Sequence, residues 1–225
     1  MWNLPAPSGF QGLHPDKPVT MHERLLPHWR QEGATYFVTF RLGDSLPESK
    51  LRELRGYRDA WRRQHPRPRS NKLLEEFSRD VFTRVERWID QGMGSCALKE
   101  QSAAGFMTGA MHHFDGERYQ LGAYVVMPNH VHVIVRPTQP EIQSLDAILG
   151  SWKQFASGKI NAHAGTTGSH WQDEGYDRII RDEEHLYRVL QYIGRNPKNA
   201  GLPHTACPLW IRPEWIASGW KFEET

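Results

Sequence analysis

Cysteine is scarce in this 225-residue chain. Cys96 and Cys207 are the only two, far apart and with no CxxC pair, which excludes a disulfide scaffold and a thiol-rich zinc site. Long apolar runs are missing as well. None approaches the ~18 residues that span a bilayer, and the opening MWNLPAPSGF lacks the basic and then apolar layout of a secretory leader. A soluble cytoplasmic protein is expected. Charge of one sign is also in short supply: 28 Lys+Arg face 26 Asp+Glu, a formal +2. That excess is too small to indicate nucleic acid, so local clustering must decide. There is no GxxxxGK[ST] or GxGxxG, which argues against ATP and NAD. No repeat or low-complexity tract interrupts the chain.

What is present suffices for a core. Apolar residues make up 38% and aromatics 11%, and a chain of this length buries roughly 70–75% of its unfolded surface without a staple. Residues 1–22, with Pro5, Pro7, Pro15 and Pro18, read as an extended arm. The β-branched and aromatic run 34–42 between Gly33 and Gly43 predicts a strand. Apolar spacing predicts helices over 47–63 and 71–89, separated by the prolines at 66 and 68, and another over 99–113. Residues 118–127 and 130–135, broken by Pro128-Asn129, read as an antiparallel pair. A helix over 144–162 and a short strand at 179–180 follow. The last predicted helix starts at Asp182-Glu183-Glu184, where acid suits the helix dipole, and stops at Asn196-Pro197. Residues 203–225 form a Pro- and Trp-rich tail with no assigned structure. Strand pairs with helices between them predict an α+β fold, a ferredoxin-like antiparallel sheet, spanning residues 23–202.

Three features carry candidate chemistry. His130 and His132 sit at i, i+2 on a strand, so both imidazoles face one way while Val131, Val133 and Val135 face the core. Two neutral imidazoles offer a start for a divalent ion, although a polar sheet face has the same spacing and a third ligand must come from elsewhere. Tyr192 and Asn196, four apart, share one flank of the last helix; by themselves they read as ordinary amphipathic packing. His14, His22, His28, His65, His163, His170 and His204 lack a partner at ligand spacing, and the adjacent His112 and His113 read as surface residues. Between Lys50 and Lys72, nine cationic side chains (Lys50, Arg52, Arg55, Arg58, Arg62, Arg63, Arg67, Arg69, Lys72) meet only Glu53 and Asp59, a net seven. Arg55, Arg58 and Arg62 form a helical stripe interleaved with Tyr57, Trp61 and His65. A solvated helix face is the commoner origin of such a run, yet on a nearly neutral chain nucleic acid is the better reading.

Together these pieces resemble the HUH single-tyrosine transposases, and most closely the REP-associated tyrosine transposases, which act on palindromic hairpins. The carrying segments are Tyr124 through Val135 with its His-hydrophobic-His strand, Trp171-Gln172 through Arg181, and Tyr192-Ile193-Gly194-Arg195-Asn196-Pro197-Lys198-Asn199-Ala200-Gly201-Leu202. Leu26-Pro27-His28-Trp29 and residues 34–40 resemble the family's first strand. The resemblance covers roughly residues 24–202. It implies Tyr192 as nucleophile, His130, His132 and Asn196 as ligands of Mg²⁺ or Mn²⁺, a 5′-phosphotyrosine intermediate, and single-stranded or hairpin DNA as partner. A monomer or homodimer is compatible with it. Gly194 stands where many relatives have a larger residue, which is expected to loosen that turn. The alternatives are a catalytically silent hairpin-binding protein and a metal-dependent phosphoester hydrolase. The Trp210, Trp215 and Trp220 tail is expected to cover the active-site cleft.

Overall fold

The computed structural model describes residues 4–223; the first three residues of the predicted arm and the last two of the tail lie outside the described residues. A hairpin of β1 (Thr20–Glu23) and β2 (Pro27–Arg30) precedes the first core strand, β3 (Tyr36–Arg41). Next come α1 (Glu48–Gln64), α2 (Asn71–Ile89) and α3 (Gln101–His112), then β4 (Tyr119–Val126) and β5 (His130–Pro137). The chain continues through α4 (Leu145–Ala164), β6 (Tyr176–Ile179), α5 (Glu183–Asn199), β7 (Leu209–Ile211) and α6 (Pro213–Ala217).

The main sheet has the order β6-β3-β5-β4-β7, and every pairing in it is antiparallel. Its first four strands give the ferredoxin-like arrangement expected from the element order. One face packs on α3 and α4, where Val38, Phe40, Val131, Val133 and Val135 meet Met107, Met111, Ile148 and Trp152. The other face carries Phe37, Val125 and Ile134 beneath Leu186, Val189, Leu190 and Ile193 of α5. No described helix is long and apolar enough to cross a membrane. Both cysteines are free.

Three expectations change. The arm takes on sheet structure from Thr20. Helix α5 does not stop at Pro197 but runs to Asn199. Proline there removes only one donor within the final turn, and the Ala200 and Leu202 amides bond back to the carbonyls of Asn196 and Pro197 at 3.1 and 2.8 Å. The tail, unassigned from sequence, pairs β7 with β4 and buries Trp215 and Trp220 against α5's face of the sheet. Their indole N–H groups donate to the carbonyls of Ser8 and Pro5 at 2.9 Å each, so the arm and the tail pack together.

Gly122 makes that packing possible. It is the extra residue of a bulge in β4, and a Cβ there would lie 2.2 Å from the Trp215 ring. Gly122→Ala is expected to destabilise the fold by about 1–3 kcal/mol through overpacking. A urea midpoint equal to wild type would contradict this placement of Trp215.

Candidate active site

Strand period sends His130, His132 and Ile134 to the α5 face, and both imidazoles are wholly buried, at 1% and 0% exposure. Their tautomers follow from their neighbours. Asn129 Nδ2 donates to the carbonyls of Ile89 and Met93 at 3.0 and 3.2 Å, which fixes its amide. Its Oδ1, 2.8 Å from His130 Nδ1, therefore accepts from that ring nitrogen. Asn196 Nδ2 donates to His132 Nε2 at 3.1 Å, so His132 carries its proton on Nδ1, 2.7 Å from Thr39 Oγ1. Strand register sets this last contact, because Thr39 pairs directly with His132. Both Nε2 atoms thus present lone pairs, and they face each other at 3.0 Å.

A residue with no sequence assignment completes the group. Glu86 on α2 is buried, with Oε2 3.2 Å from His132 Nε2. The same oxygen accepts a hydrogen bond from the Tyr192 hydroxyl. The Tyr192 ring stands edge-on to Phe37 and His132, with centroids 5.8 and 5.2 Å away. Burial and the neighbouring His132 hold His130 down to about 3, so it is neutral. Burial alone would raise Glu86, but His132 beside it and the Tyr192 hydroxyl that donates to it keep the carboxylate below its usual range. Burial and the Glu86 charge push the Tyr192 hydroxyl far above its ordinary value. Asp90, one turn beyond Glu86, is raised to about 6 by burial and by Glu86.

This donor set fits a divalent cation. Ligand atoms of Glu86, His130 and His132 lie within 4.8 Å of one another. Among the described residues, the buried side-chain oxygens without a hydrogen-bond partner are Glu86 Oε1, Asp90 Oδ1 and Asn196 Oδ1. Two imidazole lone pairs and a carboxylate around unsatisfied oxygens repel one another, and a bound cation would offset that repulsion. Two imidazole nitrogens with a carboxylate oxygen are a donor set for a first-row divalent cation.

All four residues of the motif come together here: His130, His132 and Asn196 in direct contact, and Tyr192 through Glu86. Glu86 had a legible trace, since it lies four residues after Phe82 and one after Val85, on the flank of α2's apolar stripe. Asn129 stood in the quoted motif without a role. Gly194 does not loosen its turn: a Cβ there would sit 2.6 Å from the Phe222 ring, so the glycine lets the tail lie against α5.

The arginine stripe divides. Arg52, Arg55, Arg63 and Arg67 are exposed, with Arg55 paired to Glu48 and Arg67 to Glu23 at 2.6 Å. Arg69 also reaches Glu23, at 3.2 Å, and lies over the Trp61 ring. Arg62 points to the Arg24 carbonyl at 3.4 Å. Arg58 turns inward and is buried. Trp61 and Tyr57 stack on Phe77, which takes up a face of each ring.

No family model matches the chain, and no curated protein matches it. Among solved structures it is similar to the REP associates tyrosine transposase bound to a REP hairpin. That similarity has 16% identity and a TM-score of 0.45, over 84% of this chain and 83% of that one.

Among the remaining histidines, His112 and His113 are exposed as expected, and the side chain of His204 lies outside the described residues. His28 departs from the bland reading. It is buried on β2, with Nδ1 2.5 Å from Asp177 and Nε2 2.9 Å from Glu174, and so ties the hairpin to the β6 region. Burial disfavours its cation, but the two carboxylates prevail and raise its pKa to about 9. A raised value means that the protonated imidazole stabilises the fold below pH ~6.5 and loses that contribution as pH climbs through about 9. The stability gap between wild type and His28→Gln is therefore expected to shrink between pH 6 and pH 9.5 in urea denaturation. A gap independent of pH would contradict the ion pair.

Proposed function

We propose that the protein is a metal-dependent DNA strand transferase that cleaves and rejoins single-stranded DNA beside palindromic hairpins, with Tyr192 as its nucleophile. The observation that carries this reading is the shared oxygen of Glu86, which joins the Tyr192 hydroxyl to the two-histidine cluster. A tyrosine so placed beside a cation site is arranged for attack on a phosphodiester. The hairpin substrate is what the three motif segments imply.

His130, His132, Glu86 and Asn196 would hold Mg²⁺ or Mn²⁺. Once bound, such an ion supplies charge stabilisation to a phosphodiester oxygen and neutralises the electron-rich cluster. Asn129 and Thr39 keep both imidazoles in the tautomer that exposes Nε2. A phenol with a raised pKa is a poor nucleophile, so Tyr192 needs an acceptor for its proton. Glu86 Oε2 already takes that hydrogen bond. In the step, Tyr192 Oη bonds to phosphorus, its proton passes to Glu86, and the bond from phosphorus to the 3′ oxygen breaks. That oxygen leaves as a 3′-hydroxyl after taking a proton from solvent, and the 5′-phosphate stays on Tyr192. The covalent link conserves the phosphodiester, so attack by a 3′-hydroxyl rejoins strands without ATP.

Labelled single-stranded palindromic DNA with Mn²⁺ or Mg²⁺ should give an SDS-resistant adduct with wild type and Tyr187→Phe, and none with Tyr192→Phe. Binding without an adduct on any hairpin would favour the silent binder instead. Mn²⁺ titration followed by electron paramagnetic resonance checks the ligand set. Glu86→Gln should weaken the metal by about tenfold or more, since even supporting partners cost that much at such sites. Unchanged affinity would remove Glu86 from the set.

A further inference from the structure

At the end of α2 two acids stand one turn apart. Glu86 belongs to the histidine cluster, and Asp90 follows it four residues later, at the C-cap of the helix. Three forces oppose a carboxylate there. Acids four apart on a helix repel each other, the negative end of the helix dipole disfavours an anion, and burial disfavours it again. Burial and Glu86 together push the Asp90 carboxyl up to about 6. The fold offers nothing in return: Asp90 Oδ1 is buried without a hydrogen-bond partner, and among the described residues no lysine or arginine pairs with either acid.

The turn that carries Asp90 is fixed beside the histidine strand. Asn129 Nδ2 holds the carbonyls of Ile89 and Met93, on either side of Asp90, while Asn129 Oδ1 holds His130. Asp90 feels the charges of Glu86 and His132, and acts in turn on Tyr192. Two further oxygens lack partners, Glu86 Oε1 and Asn196 Oδ1. Their side chains are 7% and 1% exposed, and both reach His132 Nε2. The arginines of this region are turned elsewhere. Arg41 donates to Ser45 and to the Leu42 carbonyl, and among acids Glu174 and Asp59 act most on Arg58. The ligand atoms within 4.8 Å of one another are those of Glu86, His130 and His132, and Asp90 stands outside them.

We propose that Asp90 is the outer acid of the cation site: it supplies the second negative charge that balances a divalent ion and acts on that ion across its bound water. The proposal rests on the reading of the cluster as a cation site. It makes Asp90 a positioning residue, acting through the ion and its direct ligands, and gives a use to a carboxylate that the fold alone disfavours. Outer carboxylates of this kind tune affinity without touching the metal.

The test uses full-length protein at pH 8, with Mn²⁺ as the probe and free Mn²⁺ read by electron paramagnetic resonance. Asp90→Asn removes the charge and keeps the shape. It should weaken Mn²⁺ binding about tenfold, the scale of an outer partner at such sites. Thermal midpoints supply a readout that a merely structural role would not move. In EDTA the substitution relieves repulsion, so the midpoint should rise by about 2–4 °C. In a fixed excess of Mn²⁺, the variant should gain less over its EDTA value than wild type does. A midpoint that falls in EDTA, or an Mn²⁺ affinity equal to wild type, would overturn the role of Asp90 and leave the cation site standing. Failure of wild type to bind Mn²⁺ would overturn that site, and this inference with it.

Discussion

Two buried ring nitrogens, each presenting a lone pair to the other across 3.0 Å, set the terms for the surrounding structure. Such a contact is repulsive unless a cation lies between or beside the rings. The flanking groups reinforce the arrangement rather than relieve it. Asn129, locked by two carbonyls, prevents His130 from turning its N–H inward, and Thr39 with Asn196 does the same for His132. Glu86 then adds negative charge at 3.2 Å. The sheet provides the rigidity that keeps these groups together, because His130 and His132 lie on the central strand β5, paired on both sides.

Much of this was legible in the sequence because it is local. The alternation of His130 and His132 with Val131 and Val133 states both the strand and its two faces. The spacing of Tyr192 and Asn196 places them on one flank of α5. What escaped is what depends on contacts distant in sequence. Glu86 reaches Tyr192 and His132 only once α2 lies on the β3–β5 face, across separations of 106 and 46 residues that no short pattern encodes. His28 looked isolated because its partners, Glu174 and Asp177, follow nearly 150 residues later. Helix spacing put Arg58 in a stripe with Arg55 and Arg62, but one of the three had to face inward where α1 packs.

The arm and the tail matter for the same reason. They hold the helix that carries Tyr192. Gln191, its neighbour, exchanges two hydrogen bonds with the tail, donating to the Lys221 carbonyl at 2.9 Å and accepting from the Glu223 amide at 2.7 Å. Phe222 rests on Gly194, and Trp215 fills the space above the β4 bulge. The tail thus braces α5 along its Gln191 and Gly194 side and packs Trp215 and Trp220 into the layer between that helix and the sheet that holds the histidines.

The central claim is that Tyr192 forms the covalent bond to DNA from within this cluster. The most direct measurement is tryptic mass spectrometry of the protein after reaction with a hairpin strand and nuclease trimming. The account predicts a 5′-linked nucleotide on the peptide of residues 189–195, which contains Tyr192 and no other tyrosine. A nucleotide on the peptide of residues 182–188, which carries Tyr187, or on any other peptide, would contradict it.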